Sequence, residues 1–540
     1  MNAQLWVRIN RRVLLIMNNP KGCREHAAGV VRGLATAGIV TALATSLPFE
    51  AYAGEDNDTL VWSTASEIGS LDTYYANMRE TLILTYAMCD SLIYRDPETG
   101  NYEGLLATDW KWIDDTTLEL TIRSGVTFHD GNELTPDDVA YTLNHISDPE
   151  TPSQVSFLSN WIDRVEVTGP QTVKVHAKAP TPAALEYLGG ATPIFQAGHY
   201  DDAPKLGDGN SDFGAVQPVC TGPYEVDDFV PGETVTLKKY DGYFADSPKG
   251  QPQIGTIQFR TIRDPEAQIA ELVTGGIDWI WGVPSENAEI LSQQPGISVA
   301  SAPTMRMSFL SLDAAGRSGD TPVTDVRVRQ AIAYAIDRDA IVDNLAGEGA
   351  VVLKSMCVPD QAGCTTDVKQ YDYDPDKARA LLAEAGYDDG LNLPFYAYRD
   401  RPYSEAVMNY MREVGISTDL QFLKWGALRP TLSGGEAEVA HLTNGSNGIL
   451  DATASLGYYF GGGEMDYARN EELSGWLSEA GRTTDPNARA TLYEKAASKI
   501  ADEAYFVPLF LYGRTYAYTS DLNFPATGDE LAHFYRASWN

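Results

Sequence analysis

Two spacings of apolar residues alternate along this chain. Short runs rich in β-branched and aromatic residues at 59–64, 118–122, 165–167, 173–175, 234–238, 255–259 and 419–422 predict strands. A three- and four-residue spacing governs the stretch from Val326 to about Leu345. There Val328, Ala331, Ile332, Ala335 and Ile336 make one apolar stripe, which predicts a single long helix. Further helices are predicted near 135–146, 375–385, 404–414 and 486–501. Four helix starts share a signature, a capping residue followed by proline: Thr135-Pro136, Asp264-Pro265, Asp374-Pro375 and Asp485-Pro486. The cap oxygen accepts a backbone N–H that the first turn leaves unpaired, and proline at the first helical position gives up only such an N–H. Strands and helices alternate without low-complexity stretches, which predicts a compact α/β protein.

The first fifty residues follow a different pattern. Residues 33–49 carry no charge and come after Lys21, Arg24 and Arg32, and the small-x-small triplet Ala51-Tyr52-Ala53 precedes the polar Gly54-Glu55-Asp56. That order predicts a secretory signal peptide over 1–53, cleaved after Ala53, with Met17 as an alternative start. The uncharged run is rich in Ala, Thr and Gly and shorter than the roughly 20 strongly apolar residues of a membrane anchor. Cys23 stands before that run, where a lipoprotein cysteine does not occur. A periplasmic protein, exported by its N-terminal signal, is expected.

Charge narrows the partners. The 540 residues include 40 Lys and Arg against 75 Asp and Glu, a net −35, and without 1–53 there remain 34 basic and 73 acidic residues. Such a chain lacks the basic clusters that neutralise nucleic-acid phosphates or dock on anionic membranes. The 43% hydrophobic fraction is globular, so the acidity belongs to the surface. Four cysteines follow the leader, and an even number in an exported chain favours disulfides. Cys357 and Cys364 bracket a turn-rich loop and predict one bridge; Cys89 and Cys220 remain as a pair by elimination.

Several chemistries lack their residues. The seven histidines are scattered, with no HExxH or ligand-spaced pair, so no metal is expected. There is no phosphate loop, no GxGxxG after a strand and no GxSxG elbow. Asp372, Asp374 and Asp376 alternate as in a calcium loop, but Lys377 and Ala383 hold the positions that need glycine and glutamate. A capped helix start is the better reading.

Four segments in order, Ile122-Arg123-Ser124-Gly125-Val126-Thr127-Phe128-His129-Asp130-Gly131 running into Leu134-Thr135-Pro136-Asp137-Asp138-Val139, then Thr221-Gly222-Pro223-Tyr224, then Val328 to Arg338, then Tyr373-Asp374-Pro375-Asp376-Lys377-Ala378, resemble the family-5 extracellular solute-binding proteins of ABC importers. The resemblance covers 55–540. It implies a periplasmic binding protein type II-like α/β fold, with two hinged lobes and an extra domain inserted in the first. By analogy lobe I comprises 54–98, 221–316 and 505–540, the extra domain 99–220 and lobe II 317–504.

The implied function is capture of a small polar solute between the lobes and delivery to membrane permease subunits, by a monomer without cofactor. In the family's dipeptide binders an arginine holds the ligand carboxylate and an aspartate its ammonium. Arg401 stands in the arginine's place and Asn447 in the aspartate's, with Asp451 a few residues on. Asn444 replaces a usual tryptophan, and the aromatic residues Tyr74, Tyr75, Trp281 and Trp425 are candidates to line the cleft. An asparagine accepts a hydrogen bond but does not neutralise an ammonium. The expected ligand is therefore a peptide-like or opine-like conjugate, or a polyol, ahead of a plain dipeptide. A secreted hydrolase of a small polar substrate is the alternative, since 73 acidic residues leave carboxylate pairs open.

Overall fold

The computed structural model describes residues 53–151, 153–445 and 448–540; the predicted leader up to Tyr52, and Asn447, lie outside the described residues. Each predicted strand is present, and all but Thr59–Thr64 are longer than predicted, by one to five residues. The four proline-marked helices begin where their caps stand. Asp264, Asp374 and Asp485 accept the N–H of Ala267, Lys377 and Ala488, and Thr135 forms a capping box with Asp138.

The long helix from Val326 is corrected. It stops after Val326–Ala335, Ile336 is extended, and Asp337 caps a new helix, Arg338–Ile341, by accepting from Ala340 N. The apolar stripe continues across the break, because Ile336 and Ile341 are buried with Val328, Ala331 and Ile332. Periodicity alone therefore hid the break, where a short aspartate side chain competed successfully for a backbone N–H.

Among the described residues eleven strands form one sheet. Its first half holds Tyr224–Val230, Thr234–Lys239, Thr256–Thr261, Thr59–Thr64 and Trp279–Trp281, and its far half holds Val439–Asn444, Leu391–Ala397 and Ile416–Phe422. Two long antiparallel strands, Ile297–Leu312 and Phe506–Thr519, join the halves, and the short strand Val351–Val352 pairs with the second of them. Their ladder runs from Ile297 to Pro303, breaks, and resumes at Met307. Proline has no N–H to continue the ladder. Gly513 faces the break, and any side chain there would meet Glu348 O at 2.1 Å, so the chain passing over this point requires glycine.

A separate four-stranded antiparallel sheet, Ala107–Asp114, Thr117–Ile122, Thr172–Ala177 and Ile162–Gly169, carries the helix Pro136–Ser147 and shares an apolar core with the first half. Thr221-Gly222-Pro223-Tyr224 leads back from it, with Gly222 pressed against the Met88 backbone. The far half has its own cores. Phe534 packs between Trp62 and Trp279, at 5.2 Å from each ring, and so fixes the C-terminal segment beside the crossover strands. Burying an aromatic of this size contributes roughly 2–3 kcal/mol.

Cys89 is bonded to Cys220 and Cys357 to Cys364, across sequence separations of 131 and 7 residues. Chain-entropy arguments give about 5 kcal/mol for the long closure and about 2 kcal/mol for the short one. The double variant Cys89→Ser/Cys220→Ser should therefore lower the denaturant midpoint clearly more than Cys357→Ser/Cys364→Ser. Equal losses would show that loop closure does not set their contributions.

Candidate functional site

The break in the crossover ladder is where the chain gathers charge. Arg306 leaves the interrupted strand there, and its backbone N–H donates to Thr304 Oγ1. Its guanidinium donates to Glu530 at 3.0 Å. Arg514, from the partner crossover strand, reaches the same carboxylate at 2.7 Å, and Arg79, at the start of the helix Arg79–Met88, at 2.9 Å. Glu530 itself is 2% exposed, whereas the three arginine side chains keep 18%, 17% and 22% of their surface open.

Glu530 takes a left-handed backbone, φ 61°, which costs a non-glycine residue on the order of 1 kcal/mol. The turn aims successive carboxylates in different directions. Glu530 faces the arginines, and Asp529 faces His533 Nε2 at 2.9 Å and Thr527 Oγ1 at 2.7 Å. Burial by itself would raise both acids. Three guanidiniums outweigh it at Glu530 and hold its carboxyl at about 2. Burial is likewise outweighed at Asp529 by the His533 charge and hydrogen bonds, which hold it well below the usual range.

Asp529 also borders a pocket, partly open to solvent, with Tyr86, Arg95, Glu186, Gly448 and His533 around it. Residues 448–450 close its far side and are held from both halves. Arg95 Nη2 donates to Gly448 O at 2.9 Å, and Leu450 N donates to Glu186 Oε2 at 3.0 Å. From behind, Gln361 Nε2 donates to Ile449 O and Ala362 N to Leu450 O, so the disulfide loop braces the same segment. A side chain at Gly445 would stand 2.9 Å from Arg306 Nη2, which puts the start of this loop against the arginine cluster. Cluster and pocket are therefore neighbours, joined by Asp529, which lines the pocket, and Glu530, which ties the arginines.

The sequence-derived candidates separate. Trp281 is half-buried beneath the Arg514 guanidinium, 5.4 Å away, and so stands at the cluster. Tyr74 is fully buried, and its hydroxyl donates to Pro193 O at 2.6 Å, a core position. Tyr75 Oη lies 2.8 Å from His145 Nε2. Trp425 is 41% exposed and packs on Tyr398. Asp451 is buried and accepts two hydrogen bonds from Arg489 at 2.7 and 2.8 Å, a scaffold pairing that offsets its charge. Arg401, 59% exposed, donates to Glu405 one turn along its own helix at 2.6 Å. Such a surface pair contributes a few tenths of a kcal/mol. Asn447 lies outside the described residues.

Arg79, Arg306, Arg514 and Glu530 were not anticipated. The three arginines lie hundreds of residues apart in sequence, so no local spacing announces them; the one usable trace is the proline three residues before Arg306, which interrupts a strand.

For the hydrolase alternative the nearest constellation is His441, 2.8 Å from both Ser308 and Ser404. All three are buried, and burial pushes His441 down to about 4. It is a satisfied core group. Among the described residues no group of three His, Cys, Asp or Glu is placed to hold a metal ion.

Residues 101–467, more than half the chain, match the model of the bacterial extracellular solute-binding proteins, family 5. The glutathione-binding protein GsiB of Shigella dysenteriae is 27% identical over 507 residues, covering 91% of this chain and 95% of that protein. The crystal structure of the ABC transporter substrate-binding protein CtaP of Listeria monocytogenes superposes with a TM-score of 0.77 at 23% identity, over 89% of this chain and 99% of that one. DppA of Helicobacter pylori, solved with the peptide STSA, gives 0.74 at 23% identity, over 89% and 98%. These relatives are binding proteins and lend nothing to a hydrolase. This chain belongs to the family-5 bacterial extracellular solute-binding proteins, the extracytoplasmic solute-capturing subunits of ABC importers.

Proposed function

We propose that the captured solute is a small peptide-like or opine-like molecule bearing at least one carboxylate, and that its carboxylate binds at Arg79, Arg306 and Arg514. The observation that carries this reading is the ratio of three partly open guanidiniums to one buried carboxylate, in a chain whose net charge is −35. A guanidinium binds a carboxylate through paired, charge-assisted hydrogen bonds, roughly twice as strong as neutral ones. A polyol offers these arginines no charge, so it loses ground as a candidate. Relatives named for glutathione, and a structural neighbour solved with a tetrapeptide, bind solutes of the proposed class.

In this reading lobe I comprises 54–98, 221–316 and 505–540, the extra domain 99–220 and lobe II 317–504. The solute enters between them, and the closed form is presented to the permease. The leader is removed after Ala53 and the mature protein works in the periplasm. The Arg401 and Asn447 pair keeps a place only as an outer contact, since Arg401 already has Glu405.

A thermal-shift panel of di- and tripeptides, glutathione, N-blocked peptides and sugars tests the class. Carboxylate-bearing solutes should stabilise the protein, and Arg306→Ala should weaken their binding about 10- to 100-fold, from the loss of a charged hydrogen bond of roughly 1.5–3 kcal/mol. Stabilisation by sugars alone, undiminished in Arg306→Ala, would overturn it.

The cluster also sets an acid limit. Glu530 is depressed from the ordinary 4.5 to about 2 in the folded protein, so its contribution is complete above pH 4.5 and lost as pH falls through 2. That contribution is on the order of 3 kcal/mol. The melting temperature should fall across pH 4.5 to 2, and Glu530→Gln should flatten that part of the profile while lowering stability at neutral pH. A Glu530→Gln profile parallel to the wild type would remove Glu530 from the account.

A further inference from the structure

Asp278 is a buried carboxylate for which the described chain supplies no cation. It is 3% exposed and immediately precedes the central strand Trp279–Trp281. Its backbone is tied on two sides, the N–H donating to Val61 O at 2.7 Å and the carbonyl accepting from Thr519 N at 2.9 Å. Its side chain accepts from Val61 N at 2.7 Å. The other group acting on it is the N–H of Gly54, and among the described residues no lysine, arginine or histidine is paired with it. Burial pushes the Asp278 carboxyl up to about 7, against these two backbone N–H groups. A buried ionised group is costly unless paired, and a single replacement of its partner leaves that cost in place.

Gly54 stands at this carboxylate for a structural reason. Its backbone has φ 111°, a region glycine tolerates, and its N–H donates to Thr59 O at 2.9 Å, closing the turn that enters the strand Thr59–Thr64. A Cβ on Gly54 would lie 3.9 Å from Asp278 Oδ1. The residue beside the unpaired carboxylate is thus the one that the processing reading above makes the first of the mature chain.

We propose that the α-ammonium of mature Gly54 is the cation of Asp278, so that leader removal completes a buried ion pair at the centre of the large sheet. This rests on cleavage after Ala53. Signal peptidase breaks the Ala53–Gly54 peptide bond with one water, whose hydroxyl goes to the Ala53 carbonyl and whose hydrogen goes to the Gly54 nitrogen. The amine then takes a proton from solvent. An amide N–H offers Asp278 a neutral donor; an ammonium offers a charge and two further hydrogens, with Thr59 O in reach of one. Mature and unprocessed chains therefore differ in stability at this carboxylate, and the gain comes only after export.

The test compares two forms released from a fusion by a protease that leaves a defined end. One begins at Gly54 and the other retains Ala51-Tyr52-Ala53. The Gly54 form should melt higher by about 2 °C or more, and the difference should vanish in Asp278→Asn. Its α-amine should also be acetylated by a water-soluble reagent several-fold more slowly than the α-amine of the extended form. Should Asp278→Asn fail to fold, wild-type protein acetylated at Gly54 replaces it, and it should melt like the extended form. Equal melting of the two ends, or an unchanged difference in Asp278→Asn, overturns the pairing. The intact mass of exported protein tests the processing separately. A first residue other than Gly54 overturns the processing reading and with it the pairing in the cell, whereas Gly54 first with equal melting overturns the pairing alone.

Discussion

Three guanidiniums converge on one buried carboxylate at the point where the two halves of this protein share their strands. Arg306 and Arg514 come from the two crossover strands and Arg79 from a helix of the first half, and Glu530 ties all three. Like charges this close repel one another, and a single glutamate leaves the set positive. The arrangement is held by what surrounds it: the interrupted ladder at Pro303–Met307 that releases Arg306, Gly513 that lets residues 348–350 pass over, and Phe534 locked between two tryptophans just after Glu530. Remove the carboxylate and the arginines lose their common anchor. Add a second anion from the cleft side and the remaining repulsion is relieved. The same cluster is thus a structural knot and, in the proposed reading, the receptor for an anionic solute.

Capture requires that solute contacts differ between open and closed forms, since a ligand shifts an equilibrium only through differential affinity. In the proposed reading the loop at 448–450 supplies such a difference. Arg95 and Glu186 reach it from the first half, with Tyr102 also bonded to Glu186. These part-buried bonds replace bonds that the same groups would make to water, so each contributes only modestly. The Cys357–Cys364 loop and the Asp451–Arg489 pair hold the loop's own shape from behind. In the proposed reading a carboxylate solute held by the arginines adds the decisive part of the closing energy.

Much of the scaffold is legible in the sequence because it is written locally. Caps at Thr135, Asp264, Asp374 and Asp485 need only a residue, a proline and three positions of spacing, and the structure places helix starts at each. The break at Ile336 was hidden because the buried stripe ran on across it. The cleft was less legible. Its arginines belong together only after a sheet has brought residues 79, 306, 514 and 530 to one point, and no linear pattern encodes that meeting. Asp451 and Tyr74 looked available because a polar or aromatic residue near a family loop does not reveal the partner that has already claimed it, here Arg489 and Pro193. Arg401 was drawn in by its place before a helix, and the helix itself supplied Glu405 four residues on.

Closure of the cleft around a carboxylate at the arginine cluster is the central claim, and small-angle X-ray scattering reads it most directly. The radius of gyration of the wild-type protein should fall on saturation with a stabilising carboxylate solute, and Arg306→Ala at the same solute concentration should remain at the unliganded value. An unchanged radius in the wild type at saturation, or equal compaction in Arg306→Ala, would contradict the account.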